Sequence, residues 1–157
     1  MSKFPTRVAA LFAVATVLVV TACRHPGESS AVTSSQAPLP GRNAKGEINA
    51  AHILIMYQGS SRAPATVTRS KQEALALAQE IEKKITGGQA DFAALATEFS
   101  DCPSAADGGN LGNFLPSQMA YEFSQTAVQL AVGEVSGIVE TEFGYHLIRR
   151  QNIDLEK

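Results

Sequence analysis

Four side chains in this chain could take part in chemistry together: His52, Asp101, Cys102 and His146. Asp101 directly precedes Cys102, and a run of turn residues follows up to a Gly-Gly pair at 108–109. A thiol activated by an imidazole base is a nucleophile. Each residue also has a purely structural interpretation, since a strand His, a small buried Cys and a turn-capping Asp are common. These four residues alone therefore leave both a cysteine nucleophile and a set of structural roles open.

Two strands are predicted to carry the histidines. Residues 48–58 alternate, so that His52, Leu54 and Met56 share one face of a strand. Near the end of the chain, residues 136–140 and 145–152 read as two strands around the turn at 141–144, which is a hairpin. His146 lies in the second of these strands, on the face that it shares with Ile148.

Helices and one short strand fill the interval between these strands. Ser70 and Glu73 have the spacing of a capping box, and they open a helix that ends at Gly87-Gly88. A second helix is expected over 91–99, a short strand over 111–114, and a third helix from Pro116 to Gly133 in which Met119 and Phe123 share a face. The order β-α-α-β-α-β-β, with three to four helices, predicts an α+β fold built on a mostly antiparallel sheet.

The N-terminal segment reads as an export signal. Lys3 and Arg7 precede an apolar run over 8–20, which is too short for an ordinary bilayer span of about 20 residues. Its end, Val20-Thr21-Ala22-Cys23, resembles a bacterial lipobox, which implies cleavage before Cys23 and lipidation of that residue. An uncleaved anchor helix is the alternative.

We therefore expect three segments: a lipoprotein signal peptide over 1–22, a lipidated Cys23 with a flexible Ser/Pro/Gly linker over 23–46, and a folded domain over 47–157. This predicts a membrane-anchored lipoprotein that faces the periplasm or the cell exterior. Arg24, by analogy with enterobacterial sorting, favours the outer membrane over the inner one. The net charge of −2 argues against a nucleic-acid partner, and we expect a monomer.

The folded segment resembles the parvulin family of peptidyl-prolyl cis-trans isomerases over about residues 49–151. The resemblance is carried by ordered motifs at compatible spacing: Ala51-His52-Ile53-Leu54-Ile55, Phe99-Ser100-Asp101-Cys102-Pro103-Ser104, Gly108-Gly109-Asn110-Leu111-Gly112-Asn113-Phe114, Gln118-Met119 with Phe123, Gly133-Glu134-Val135-Ser136-Gly137-Ile138-Val139, and Phe143-Gly144-Tyr145-His146-Leu147-Ile148.

The resemblance implies a four-stranded antiparallel sheet wrapped by helices, rotation about X-Pro bonds, proline-containing unfolded or exported polypeptides as partners, and no cofactor or metal. It also implies residue roles. The catalytic group is expected to contain the paired His52 and His146, Cys102 beside the reacting amide, Asp101 in the same polar cluster, and Thr141 near the histidines. The proline-binding pocket is expected to contain Leu111, Phe114, Met119 and Phe123.

One position departs from the phosphate-directed members of the family. They carry a basic residue four positions after the first histidine and arginines in the following loop, whereas this chain has Met56 and only Arg62 there. Met56 and Arg62 are expected at the substrate entrance, and the loss of a basic group predicts no strong requirement for phosphoserine or phosphothreonine before proline. Three hypotheses follow: an isomerase that assists the folding of exported proteins, a binding module for unfolded or proline-containing chains with little turnover, and a thiol enzyme.

Overall fold

The computed structural model describes residues 41–154. The predicted signal peptide, the predicted lipidation site Cys23 and most of the predicted linker lie outside these residues. The elements are β1 (Ile48–Ile55), α1 (Lys71–Thr86), α2 (Phe92–Phe99), a 3-10 helix (Pro103–Asp107), β2 (Asn110–Phe114), a 3-10 helix (Pro116–Gln118), α3 (Tyr121–Gln129), β3 (Val139–Thr141) and β4 (Gly144–Gln151).

The four strands form one antiparallel sheet, as expected, and their order in the sheet is β2-β1-β4-β3. Both central strands, β1 and β4, are eight residues long, and every residue of β1 is buried. Helices cover a sheet only where its side chains are apolar, and alternation along β1 gives it two such faces. Ile53 and Ile55 pack with α1 and α2 on one face, while Ile48 and Ala50 pack with α3 on the other.

The helix starts follow local capping rules. Ser70 accepts from the backbone N–H of Glu73, and the Glu73 carboxylate accepts from the N–H of Ser70, so the capping box predicted from sequence is confirmed. Asp91 caps α2 in a similar way. These caps mark where α1 and α2 begin.

Two predicted boundaries were wrong in the second half of the domain. The helix predicted to begin at Pro116 is a short 3-10 helix that breaks at Met119, whose backbone is extended, and α3 begins only at Tyr121 and ends at Gln129. Met119 and Phe123 therefore do not share a helix face. The β3 strand is also shorter than the predicted 136–140.

The shortening of β3 has a geometric cause. Val135 pairs with Arg149, whereas Val139 pairs with His146, so the register changes by one residue between the two pairs. Within this irregular stretch the N–H of Ser136 donates to the carbonyl of Ile148 at 2.8 Å, while the N–H of Ile148 donates to the Ser136 hydroxyl at 3.0 Å instead of to a backbone carbonyl. The first strand also ends earlier than predicted, at Ile55 rather than Gln58.

The described end of the predicted linker is ordered. Residues 41–46 form a turn in which the Asn43 side chain accepts from the N–H groups of Lys45 and Glu47, each at 3.0 Å. The buried Arg150 of β4 donates to the carbonyl of Gly41. The ordered domain therefore includes residues that the prediction assigned to a flexible linker. Within residues 41–154, no helix has both the length and the apolar character that a bilayer span requires.

Candidate active site

The register of the two central strands brings the histidines together. His52 pairs with Ile148 and His146 pairs with Leu54, so the two histidines are diagonal neighbours on the same face of the sheet. Their rings stack with centroids 5.4 Å apart, and the two Nδ1 atoms are 3.2 Å apart. The structure thus places the side chains of His52 and His146 in contact with each other.

The paired imidazoles are held neutral by burial. Burial lowers the pKa of His52 from its ordinary 6.5 to about 4. Burial and the neighbouring His52 lower the pKa of His146 from 6.5 to about 3. A neutral imidazole has one N–H, so one Nδ1 donates to the other. Thr141 lies behind the pair, with its hydroxyl 2.8 Å from Nε2 of His146, and Nε2 of His52 has no partner among the described residues.

The segment that carries the thiol is attached to the end of β1. The N–H of Leu54 donates to the Ser100 hydroxyl at 3.0 Å, and the N–H of Asp101 donates to the carbonyl of Leu54 at 2.8 Å. The N–H of Met56 donates to a carboxylate oxygen of Asp101 at 2.8 Å. Cys102 then follows in an extended conformation and precedes the 3-10 helix at Pro103. These bonds determine where the thiol lies relative to β1.

Asp101 lines the same cavity as the two histidines, but its hydrogen bonds go to Arg69 and to the backbone of Met56. Its carboxylate accepts two hydrogen bonds from the guanidinium of Arg69, at 2.6 and 3.2 Å. Arg69 also donates to the carbonyl of Met56 at 3.3 Å. A carboxylate that is committed to a bidentate arginine and a backbone amide has little acceptor capacity left for an imidazole.

A cavity of about 770 Å³ lies between this segment, the sheet and the loop before α3. Of the predicted site residues, it is lined by His52, Met56, Arg62, Asp101, Cys102, Leu111, Met119, Phe123 and His146. Two predicted residues do not line it: Thr141, which lies behind His146, and Phe114, which is buried against Phe123. Cys102 makes no hydrogen bond to either imidazole among the described residues.

The floor of the cavity combines aromatic and imidazole rings. Phe123 meets His52 and His146 edge-on, with ring centroids 5.6 and 5.4 Å apart. Met119 and Leu111 belong to the same apolar cluster as Phe123. The ring of Phe114 packs behind Phe123, with its centroid 6.3 Å away, which makes it a support for the pocket instead of a wall. An apolar pocket with few polar groups suits a proline ring.

The entrance of the cavity holds charges of both signs. The Arg62 guanidinium lies over the ring of Phe143, 5.5 Å from its centroid, and Glu142 lies beside Phe143 on the same rim. Arg62 has a φ of 60°, which is uncommon for a residue with a side chain. Met56 is 8% exposed and packs with Leu54 and Val67. The predicted entrance residues Met56 and Arg62 therefore both border the cavity.

Sequence reasoning missed several residues of this region. Alternation placed Leu54 on the same face as His52 and Met56, but Leu54 was not assigned to the site that it lines. Arg69 is distant from Asp101 in the sequence, and a lone arginine just before a helix cap gives no signal of its partner. Within residues 41–154, no group of three or more His, Cys, Asp or Glu side chains lies close enough to hold a metal ion.

Comparison with known proteins agrees with this geometry. Residues 52–152 match the family model described as "Rotamase: PPIC-type PPIASE domain". Proteins of this class catalyse cis-trans isomerisation of the peptide bond before proline. The match covers more than half of the chain, and the chain therefore belongs to the PPIC-type peptidyl-prolyl isomerases, the parvulins.

Individual relatives place the chain within that family. The peptidyl-prolyl cis-trans isomerase pin1 of Rhizopus delemar is 44% identical over 114 residues, which cover 68% of this chain and 75% of the relative. The foldase protein PrsA of Geobacillus kaustophilus is 41% identical over 108 residues, which cover 68% of this chain but only 32% of the relative. The structure of the peptidyl-prolyl isomerase ESS1 from Candida albicans superposes with a TM-score of 0.68 at 33% identity, covering 71% of this chain and 66% of that one. The chain is thus a peptidyl-prolyl cis-trans isomerase, and the predicted parvulin fold is confirmed.

Proposed function

We propose that this isomerase acts on X-Pro bonds without requiring a phosphorylated residue before proline, and that a lipid on Cys23 tethers it where exported proteins fold. The observation that carries the first part is Met56 in the cavity wall, with the nearby charges of Arg69 and Asp101 already paired with each other. The second part rests on the N-terminal sequence. The bacterial foldase among the relatives is consistent with a folding role.

The reaction needs no bond to form between protein and substrate. Rotation about an X-Pro bond has a barrier of about 18–20 kcal/mol because it breaks amide resonance. The catalyst must hold the proline ring and bind the twisted amide more tightly than the planar one. In this site Leu111, Met119 and Phe123 would hold the ring. His52, His146 and Cys102 would border the carbonyl and nitrogen as the charge on the amide changes.

The geometry gives less support to a thiol enzyme. A nucleophilic cysteine needs a base within hydrogen-bond reach of its thiol. The two imidazoles are instead bonded to each other, and His146 also contacts Thr141. Cys102 is half-buried in the wall, and we propose that it modulates the polarity around the amide without attacking it.

A phosphate group would find weak partners at the entrance. Phosphate recognition uses charge-assisted hydrogen bonds from Arg or Lys. Arg62 is the cation that borders the cavity without a carboxylate partner among the described residues. Its guanidinium lies on Phe143, and Glu142 places a negative charge on the same rim. The rim thus carries one positive and one negative side chain, which favours uncharged residues before proline.

Peptide kinetics test this selectivity. A protease-coupled assay compares peptides with Ala-Pro, Glu-Pro and phosphoserine-Pro, and we expect kcat/KM for the phosphorylated peptide not to exceed that for Ala-Pro. Met56→Lys adds a cation at the cavity wall and should raise kcat/KM for the phosphorylated peptide by about tenfold, because a charge-assisted hydrogen bond contributes roughly 1.5–3 kcal/mol. A strong preference of the unmodified protein for phosphoserine-Pro would refute the proposal.

Gln79→Lys is the matched control for Met56→Lys. Gln79 is exposed on α1, so the variant adds the same charge away from the cavity. It should leave the ratio of kcat/KM for the phosphoserine-Pro peptide to kcat/KM for the Ala-Pro peptide unchanged. The assay also separates an isomerase from a binding module, because a module that only holds unfolded chains would show little turnover with every peptide.

The lipid anchor has an independent test. The full chain, expressed in a bacterium that is fed a clickable fatty acid, should incorporate the label and fractionate with membranes, with the outer membrane expected over the inner. Cys23→Ala should abolish labelling. Labelling that persists in Cys23→Ala, or an intact chain that retains residues 1–22, would contradict this part of the proposal without affecting the isomerase assignment.

A further inference from the structure

The Arg69–Asp101 pair lies at the junction of two walls of the cavity. Arg69 directly precedes the helix cap Ser70, and its backbone carbonyl accepts from the N–H of Gln58 at 2.8 Å. Its guanidinium reaches Asp101, whose neighbour is Cys102, and the carbonyl of Met56. One side chain thus connects the start of α1, the end of β1 and the segment that carries the thiol.

The hydrogen bonds among Arg69, Asp101 and the backbone of Met56 form a closed ring. Asp101 accepts from the N–H of Met56 through the same oxygen, Oδ2, that accepts from Nη1 of Arg69 at 2.6 Å. Nη1 in turn donates to the carbonyl of Met56. Both polar backbone groups of Met56 are therefore fixed by one ion pair. Met56 and Cys102 both line the cavity, so this pair links two of the segments that form its walls.

The pair also determines the charge of this wall. The side chains of Arg69 and Asp101 are 30% and 17% exposed, so solvent screens them only in part. Without the guanidinium, a carboxylate would face the cavity beside Met56. A negative charge there would repel an acidic residue before proline and would disfavour it more strongly than a neutral one.

We propose that Arg69 is a positioning residue for isomerisation: it holds the walls that carry Met56 and Cys102 at a fixed separation and neutralises Asp101 in the cavity. Arg69 need not touch the substrate for this, because it acts through Asp101 and Met56. The inference rests on isomerisation in this cavity, and it is independent of the lipid anchor and of the proposed phosphate selectivity.

The test combines three variants with two peptides. Arg69→Met removes both the bidentate hydrogen bonds to Asp101 and the positive charge. It should lower kcat/KM for an Ala-Pro peptide about tenfold, and kcat/KM for a Glu-Pro peptide several-fold further. Arg69→Lys keeps the charge but cannot make the bidentate contact. It should restore the Glu-Pro to Ala-Pro ratio while kcat/KM for both stays several-fold low. Asp101→Asn removes the negative charge and leaves the Arg69 guanidinium unpaired, so it should lower kcat/KM for Ala-Pro and raise the Glu-Pro to Ala-Pro ratio.

A matched control and a structural readout complete the experiment. Glu80→Gln removes the pair with Lys84 on α1, 2.9 Å apart, at a side chain that is 61% exposed, and should leave both peptides unaffected. Amide exchange followed by NMR should show faster exchange at Met56 and Asp101 in Arg69→Met, with exchange at Ile53 unchanged. If Arg69→Met fails to fold, the ratio and the exchange rates in Arg69→Lys and Asp101→Asn decide the question.

Two outcomes would overturn the inference. One is an Arg69→Met variant with wild-type kcat/KM for both peptides. The other is an equal loss for both peptides that is matched by a loss of folded protein, since a role in stability alone would reduce every activity in proportion. A failure of the unmodified protein to isomerise either peptide would instead count against isomerisation in this cavity itself.

Discussion

The buried histidine pair should make the domain sensitive to mild acid. Both imidazoles are neutral in the folded protein, because burial lowers the pKa of His52 to about 4 and that of His146 to about 3. In the unfolded chain each returns to about 6.5. The unfolded state therefore binds more protons between these values, so the stability that the pair contributes is present above about pH 6.5 and is lost as the pH falls towards 4.

The size of the loss follows from these pKa values. Lowering the pH from 7 to 4.5 should cost roughly 2–3 kcal/mol for each histidine, or about 5 kcal/mol together, because one pKa unit corresponds to about 1.4 kcal/mol. This is a large share of the total stability of an ordinary domain, which is about 5–15 kcal/mol. Near pH 5.5, unfolding should take up about two protons.

Urea unfolding at a series of pH values measures this dependence. The chain has no tryptophan, so circular dichroism is the appropriate signal. We expect the free energy of unfolding to fall steeply between pH 6 and pH 5, and His146→Gln should reduce the slope by about half. Glu98→Gln changes an exposed carboxyl on α2 and should leave the slope unchanged. An uptake of less than one proton in the unmodified protein would refute the neutral buried pair.

Three further variants probe the fold and the cavity. Gly109→Ala should destabilise the domain by several kcal/mol in a urea titration. Gly109 has a φ of 81°, and an added Cβ would clash with the carbonyl of His52. Wild-type stability of the variant would contradict that geometry. Cys102→Ser should keep isomerase activity within about tenfold of the original, as expected for the change of one polar contact, while complete loss would favour a nucleophilic thiol. Phe123→Leu should remain folded but lower kcat/KM for an Ala-Pro peptide about tenfold, because the proline ring packs less well. An unchanged kcat/KM would mean that the proline ring binds elsewhere.

Local patterns in the sequence were enough to predict most of the elements. Alternation along β1 assigned His52, Leu54 and Met56 to one face, and all three line the cavity. The capping box at Ser70 and Glu73 gave the start of α1. These predictions hold because alternation and capping depend on residues a few positions apart, whose geometry the backbone itself determines.

Predictions that depended on irregular backbone were less successful. The break at Met119 separates a 3-10 helix from α3, and nothing in the periodicity of Met119 and Phe123 indicates it. The register shift before Val139 shortens β3 for a similar reason, because it is a property of the pairing with β4. Local periodicity describes one element at a time and is silent on how two elements fit together.

The sequence by itself determined the order of elements, the family motifs and the residue types around the reacting bond. The tertiary structure decided which of these residues meet. The register of β1 against β4 places His52 diagonally from His146, and the folding of the loop before α1 brings Arg69 to Asp101. An ion pair between residues 32 positions apart depends on how the chain closes a loop, which no local pattern encodes. For that reason Asp101, which the motif placed with the histidines, is instead held by Arg69 as part of the cavity wall.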